Sequence, residues 1–438
     1  MSPLANSNVR INADEWAEAD ARSVGAPLIL ALIAVTMFLP EEASFYLGER
    51  RMTVTRILLL LVAPLTVMRF ARLTAEGRYR FVLPDLLVPL TGLWMFIGPI
   101  ANDGIERALV ASGSSALEFC IPYMAARLFL SERGQAVALT RILCIVIALV
   151  GMLAIADEVT RRFLLRETIG ALTGYDNGAL EGDMRGFLFR ATSTLEHPIL
   201  LGTACSFGLL LATTLRGWPR MLGVTGAAIG LVLSVSSAPT GATLIGAGVL
   251  AYERVTRGLA FRWVLPAVGP LLFVAAIFLF HPSPLGFFLR YLTFDPATAW
   301  YRVLQWSCAG DLVMQSPILG IGLSDEWATI CGLAKTIDSV WLRMAMMYGL
   351  PGSALVFLCY AATCVLPIGG EDDDCDSLEP ERRLGFVTSI ILGLAIFIGF
   401  TVFYWGTVYI LTMFLMGMKA HLSALETCPE ESERDDDA

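Results

Sequence analysis

The sequence predicts an all-α fold, a polytopic transmembrane helix bundle of about twelve spans with two longer loops on its outer face. Three observations carry that prediction. Hydrophobic residues make up 56% and charged residues only 16% of 438 positions, against roughly 25% charge in a soluble domain. Mean hydropathy is +0.66. Apolar segments recur along the whole chain, several near the ~20 residues that a hydrocarbon core of ~30 Å requires. A bundle facing lipid forms one unit whatever its length, so residues 1–438 are expected to be a single integral membrane domain.

The candidate spans lie near 25–40, 54–70, 81–100, 108–129, 136–156, 195–215, 221–236, 239–253, 263–280, 338–366, 384–402 and 405–419. Between the seventh and eighth, SSAPTGAT reads either as a tight turn between two spans or as a kink inside one. Cytoplasmic loops retain Lys and Arg. With the N-terminus inside, those loops hold Arg69 to Arg80, Arg127 and Arg133, Arg216 and Arg220, Arg254 to Arg262, and Arg382 and Arg383. The opposite short connections, such as ANDGIE and SSAPTG, are poor in them. Both termini are then cytoplasmic, and the long loops 157–194 and 281–337, the second carrying short helices, lie outside.

Residues 1–24 are polar, with several acids and no basic start followed by an apolar stretch, so no cleavable signal is expected and the first span serves as a retained anchor. The formal charge of -9 comes largely from EDDDCD at 371–376 and from the acidic tail 422–438. Such runs are solvated cytoplasmic segments and argue against a nucleic-acid partner. Of nine cysteines, five fall in predicted spans as small apolar fillers, and none shows metal-ligand spacing. Cys308 and Cys331 share the second outer loop, where a disulfide is allowed in an oxidising compartment.

Function has to be sought in polar residues that a bilayer rejects. In FRATSTLEHPILLGTA, at the mouth of the sixth span, Arg190, Glu196 and His197 stand close together. Helix-start chemistry explains part of this run, with Ser193 or Thr194 as N-cap and Pro198 close behind; it explains the histidine less well. In the second outer loop, AWYRVLQWSCAGD places Arg302 and Trp306 on one face of a helix predicted over 298–314, beside Tyr301 and Gln305. A guanidinium can fork onto phosphate oxygens, and an indole offers a face to a sugar. An interfacial helix anchored at headgroup depth would carry the same residues. Trp300, Trp306, Trp327 and Trp341 concentrate four of nine tryptophans there. Asp338 and Ser339 open the tenth span, with Asp338 a possible N-cap, and Arg343 follows one turn later, in a position that must face the bundle or a water-filled cavity.

These residues resemble the superfamily of O-antigen ligases and O-antigen or exopolysaccharide polymerases of bacterial inner membranes. The resemblance rests on Arg302 with Trp306 one turn later and a following P-x-x-G-x-G segment, Pro317 to Gly322. It rests also on the Asp338-Ser339 pair opening a span that reaches Gly-Leu-x-Gly at Gly349 to Gly352, and on Arg190 to Pro198. In order it covers the C-terminal two-thirds. Ligases of this family open the later span with His-Asn, so Asp338-Ser339 points to the polymerase type. The resemblance implies glycosyl transfer on the outer face of a bacterial inner membrane, from a polyprenyl-diphosphate-linked glycan to a sugar hydroxyl, with no cofactor and no metal. Diphosphate is a good leaving group, so the protein must neutralise its growing charge and hold the acceptor in line. Arg302, Arg190 and Arg343 are the candidates for the diphosphate, with Trp306 and Tyr301 beside them. Asp338 is the first candidate base, followed by Glu196 and His197. Membrane lipid and polysaccharide export or assembly proteins are the further partners implied. The other readings are ligase-type transfer to another acceptor, a polysaccharide or lipid transporter using intramembrane acids such as Glu118, and a non-enzymatic export partner. No half-repeat of the kind common in transporters is visible.

Overall fold

The computed structural model describes residues 25–47, 50–132, 134–175, 182, 184–259, 262, 264–280, 296–333, 336–367 and 379–424. The expectations for 1–24, for the start of the second outer loop with His281, for EDDDCD at 371–376 and for the tail beyond 424 lie outside these residues. The described chain is mostly helical, with two short antiparallel hairpins.

Every predicted apolar segment holds a helix. They are α1 (Leu28–Thr36), α2 (Val54–Ala75), α3 (Leu83–Asp103), α4 (Ile105–Phe129), α5 (Gln135–Thr160), α7 (Pro198–Ala212), α8 (Gly217–Leu233), α9 (Ser237–Val255), α10 (Val264–Phe280), α13 (Val340–Cys364), α14 (Glu379–Ile398) and α15 (Gly406–Ser423). Four of them, α2, α3, α5 and α13, are long and apolar enough to cross a membrane, while α7 and α8 are shorter apolar helices. The loop expected over 157–194 begins inside α5 and contains α6 (Leu164–Thr173) and a hairpin of β3 (Met184–Arg185) and β4 (Leu188–Phe189). The second contains a twenty-residue helix, α11 (Pro296–Gln315), as well as the short α12 (Glu326–Cys331). A further hairpin, β1 (Ser44–Leu47) and β2 (Arg50–Thr53), joins α1 to α2. SSAPTGAT is a turn, since α8 ends at Leu233 and α9 begins at Ser237.

The connections α1–α2, α3–α4, α5–α7, α8–α9, α10–α13 and α14–α15 gather at one end of the bundle. Arg166 on α6 reaches Glu42 at 2.7 Å and Glu41 at 3.3 Å. Arg185 donates to the Val235 carbonyl at 3.4 Å, and the Leu323 N–H to Asp103 at 2.8 Å. Asp157, fully buried at the end of α5, accepts the backbone N–H groups of Leu164, Thr192 and Ser193 and so fixes the approach to α7. At the opposite end Arg127, expected in a solvated loop, is instead buried against Asp85 at 3.2 Å, where Tyr123 also donates to the carboxylate.

Small residues let α5 and α8 touch backbone to backbone: a Cβ on Gly226 would lie 2.4 Å from the Ala148 carbonyl oxygen. In lipid, where apolar surface alone gives helices no reason to associate, such close approach supplies the packing. α13 breaks at Gly349, whose φ of 75° and ψ of 173° are non-helical. The break frees backbone groups, which must find partners in a membrane protein. The loop 317–323 supplies them. The Leu350 N–H donates to the Pro317 carbonyl and the Ile321 N–H to the Met346 carbonyl, both at 2.7 Å. Asn102 Nδ2 holds the Gly320 carbonyl at 3.2 Å and Trp94 Nε1 the Tyr348 carbonyl at 2.9 Å. The P-x-x-G-x-G segment and the Gly-Leu-x-Gly stretch therefore meet each other, and their glycines make that junction possible.

Candidate active site

α11 is a platform for the site. Its inner face packs Ala309, Leu312 and Val313 against Trp327 of α12 and Leu342, Ala345 and Met346 of α13. A Cys308–Cys331 disulfide, Cα–Cα 5.9 Å, ties α11 to α12. From the same helix Gln305, 1% exposed, donates to the Thr336 carbonyl at 2.8 Å and accepts the Asp338 N–H at 3.1 Å. Those two bonds set the backbone just before α13, and the Asp338 carboxylate comes to lie 3.5 Å from Arg302 Nε. Ser339, not Asp338, caps α13: its Oγ accepts the Leu342 N–H at 3.3 Å and donates to the Gly399 carbonyl at 3.1 Å. Asp338 is thereby left to face Arg302.

The β3–β4 hairpin turns through Gly186, in the left-handed region at φ 63°, and carries Arg185 and Arg190 towards the same place. Burial pushes the Asp338 carboxyl up, with Arg302 and then Arg190 opposing that shift. Burial likewise lowers the Arg302 guanidinium, Asp338 restores it in part, and the positive charge of Arg185 lowers it further. Three guanidiniums and one carboxylate thus share a partly enclosed region, where charge interactions are stronger than in water. Such a site suits a multiply charged anion that two or more guanidiniums can grip.

Trp306 lies beside it, 38% exposed, with Nε1 donating to the Phe400 carbonyl at 3.2 Å and its ring stacked on Phe400 at 6.2 Å. Trp300 is exposed and Tyr301 half-buried. The other two tryptophans of the region are core residues: Trp327 is 2% exposed, and Trp341 packs on Tyr360 and donates to the Ile396 carbonyl at 3.1 Å. The concentration of tryptophan therefore reflects packing as much as a ligand surface. Arg343 faces Asp325 at 3.9 Å, a neighbour different from that of Arg302.

His197 is the N-cap of α7, a role expected of Ser193 or Thr194: its Nδ1 accepts the Ile199 N–H at 3.2 Å, and its ring lies 6.0 Å from that of Trp405. Ser193 instead takes a left-handed φ of 56° and donates to the Val150 carbonyl. Glu196 belongs to a second polar group, around a cavity of about 240 Å³ whose lining includes Glu41, Arg51, Arg56, Glu118, Glu196 and Tyr409. Arg51 pairs with Glu41 and Arg56 with Glu118, both at 2.6 Å. Among the described residues Glu196 Oε2 and the Tyr409 hydroxyl have no hydrogen-bond partner.

Glu196 lies outside α7, walled in by protein yet bordering the cavity. Burial pushes its carboxyl up to about 7, and Glu41 adds to the shift, while Arg166 and the Thr407 N–H oppose it. The folded protein then holds a proton that the unfolded chain releases near its ordinary value of 4.5. Stability should fall as pH rises from about 4.5 to about 7, by at most about 3 kcal/mol. Unfolding midpoints of the purified protein across that range should show the decline, and Glu196→Gln should flatten it.

Gln305 and Arg185 are the members of the site that the sequence did not single out. The four-residue spacing from Tyr301 pointed to the glutamine, and the repeated arginines of MRGFLFR to Arg185. Among the described residues no three His, Cys, Asp or Glu side chains gather as metal ligands. No protein-family model and no curated protein matches this chain.

Proposed function

We propose that the chain is a membrane glycosyltransferase of the O-antigen and exopolysaccharide polymerase type, joining polyprenyl-diphosphate-linked repeat units at the outer face of a bacterial inner membrane. The observation that carries this reading is the approach of Arg302 to Asp338 at 3.5 Å, with Arg190 and Arg185 brought in by a separate hairpin. In this reading the arginines take up charge on the leaving diphosphate. Asp338, held by Gln305, accepts the proton of the attacking sugar hydroxyl. Trp306 borders the sugar. Twelve spans with both termini cytoplasmic would put all these loops, and the Cys308–Cys331 disulfide, on the oxidising side of the membrane. Glu118, a candidate transport acid, is paired with Arg56.

The test is reconstitution of the purified protein with the host's own diphosphate-linked repeat units. A ladder of lengths is expected. Transfer only to a different acceptor would make the protein a ligase, and no product from any lipid-linked donor would overturn glycosyl transfer in favour of transport or an accessory role.

A further inference from the structure

At the end of the bundle opposite the candidate site, the starts of α8 and α14 and the end of α9 enclose a cleft of about 520 Å³. Six arginines line it: Arg220 from α8, Arg254, Arg257 and Arg262 from the end of α9 and the residues after it, and Arg382 and Arg383 from α14. The lining holds one carboxylate, Glu253, which pairs with Arg257 at 2.9 Å. Retention of basic residues on one side of a membrane accounts for arginines in these connections. It does not account for their convergence on one concavity, where like charges repel unless an anion is present. The remaining wall is apolar, with Leu250, Ala251, Phe386 and Val387. Around it Trp218, Met221 and Val255 are 64%, 71% and 85% exposed, as expected of side chains in contact with lipid rather than protein.

We propose that this cleft binds the phosphorylated headgroup of an anionic phospholipid, preferring one with two phosphates. Guanidiniums fork onto phosphate oxygens, basic pockets between helix ends select such lipids, and the apolar wall continues along the acyl chains. A soluble anion would gain nothing from that wall. The six arginines come from three separate stretches of chain, so an occupant bridging them ties α8, α9 and α14 together.

The experiment follows the unfolding midpoint of the delipidated, full-length protein in neutral detergent as cardiolipin, phosphatidylglycerol, phosphatidylcholine or inorganic pyrophosphate is added. Cardiolipin should raise the midpoint saturably by several degrees, phosphatidylglycerol less, and phosphatidylcholine not at all. Arg254→Gln with Arg382→Gln should need at least tenfold more cardiolipin for half the shift, whereas Arg72→Gln with Arg78→Gln, outside the cleft, should leave it unchanged. Native mass spectrometry of the unaltered protein should show retained cardiolipin and so keeps the test open if the double variant does not fold. The proposal fails if phosphatidylcholine is equally effective, if the cleft variant responds normally, if no anionic lipid is retained, or if pyrophosphate alone gives the full shift.

Discussion

Arg302→Ala should lower chain extension by about 10²- to 10³-fold, the loss typical of removing one group that stabilises transition-state charge. The side chain is 14% exposed and faces Asp338, so its removal also leaves a partly buried carboxylate without its nearest cation. The two effects separate in the double variant with Asp338→Asn, in which no stranded charge remains. Stability should recover there and activity should not. Arg302→Lys keeps the charge but loses the planar fork and should rescue poorly. Rates of lengthening in reconstituted vesicles, read beside unfolding midpoints, decide the matter. Full activity in Arg302→Ala would remove this arginine from the site.

Gly349→Ala should lower the unfolding midpoint sharply. Its backbone conformation is one that only glycine adopts readily, which costs an L residue about 1–3 kcal/mol. The added Cβ would also lie 2.0 Å from the Ile318 carbonyl oxygen, where main chain rather than a flexible side chain must give way. Together these should exceed about 3 kcal/mol. The damage should centre on the loop 317–323, seen as faster proteolysis there. Gly248→Ala, which meets open space, is the control and should be neutral.

The helices were legible because lipid leaves the backbone no alternative: each apolar run had to satisfy its own hydrogen bonds. Their ends were less legible. Thr160 and Pro198 bound a loop that looked longer, because α5 extends past its apolar stretch to place Asp157 under Thr192 and Ser193. Arg302 and Asp338 could be named as candidates from chemistry, but their approach depends on Gln305, a neutral residue whose importance is visible only once its two backbone partners are in place. His197 shows the reverse. A histidine near a span mouth suggested chemistry, and the structure uses its ring nitrogen to start a helix. Four tryptophans looked like a ligand surface because composition does not distinguish a ring packed under a loop from one that lines it.

The turn between α14 and α15 carries a consequence for how the protein is made. The Phe400 carbonyl receives Trp306, and the Gly399 carbonyl receives both Ser339 Oγ and the Val340 N–H. All of these acceptors emerge from the ribosome some sixty or more residues after the groups they hold. A nascent chain can thread its early helices into the bilayer and form the α11–α12 crosslink, yet Trp306 and the start of α13 have no final anchorage until residue 400 has been synthesised. Premature termination after α13 would therefore yield an inserted protein with the arginines present and unarranged.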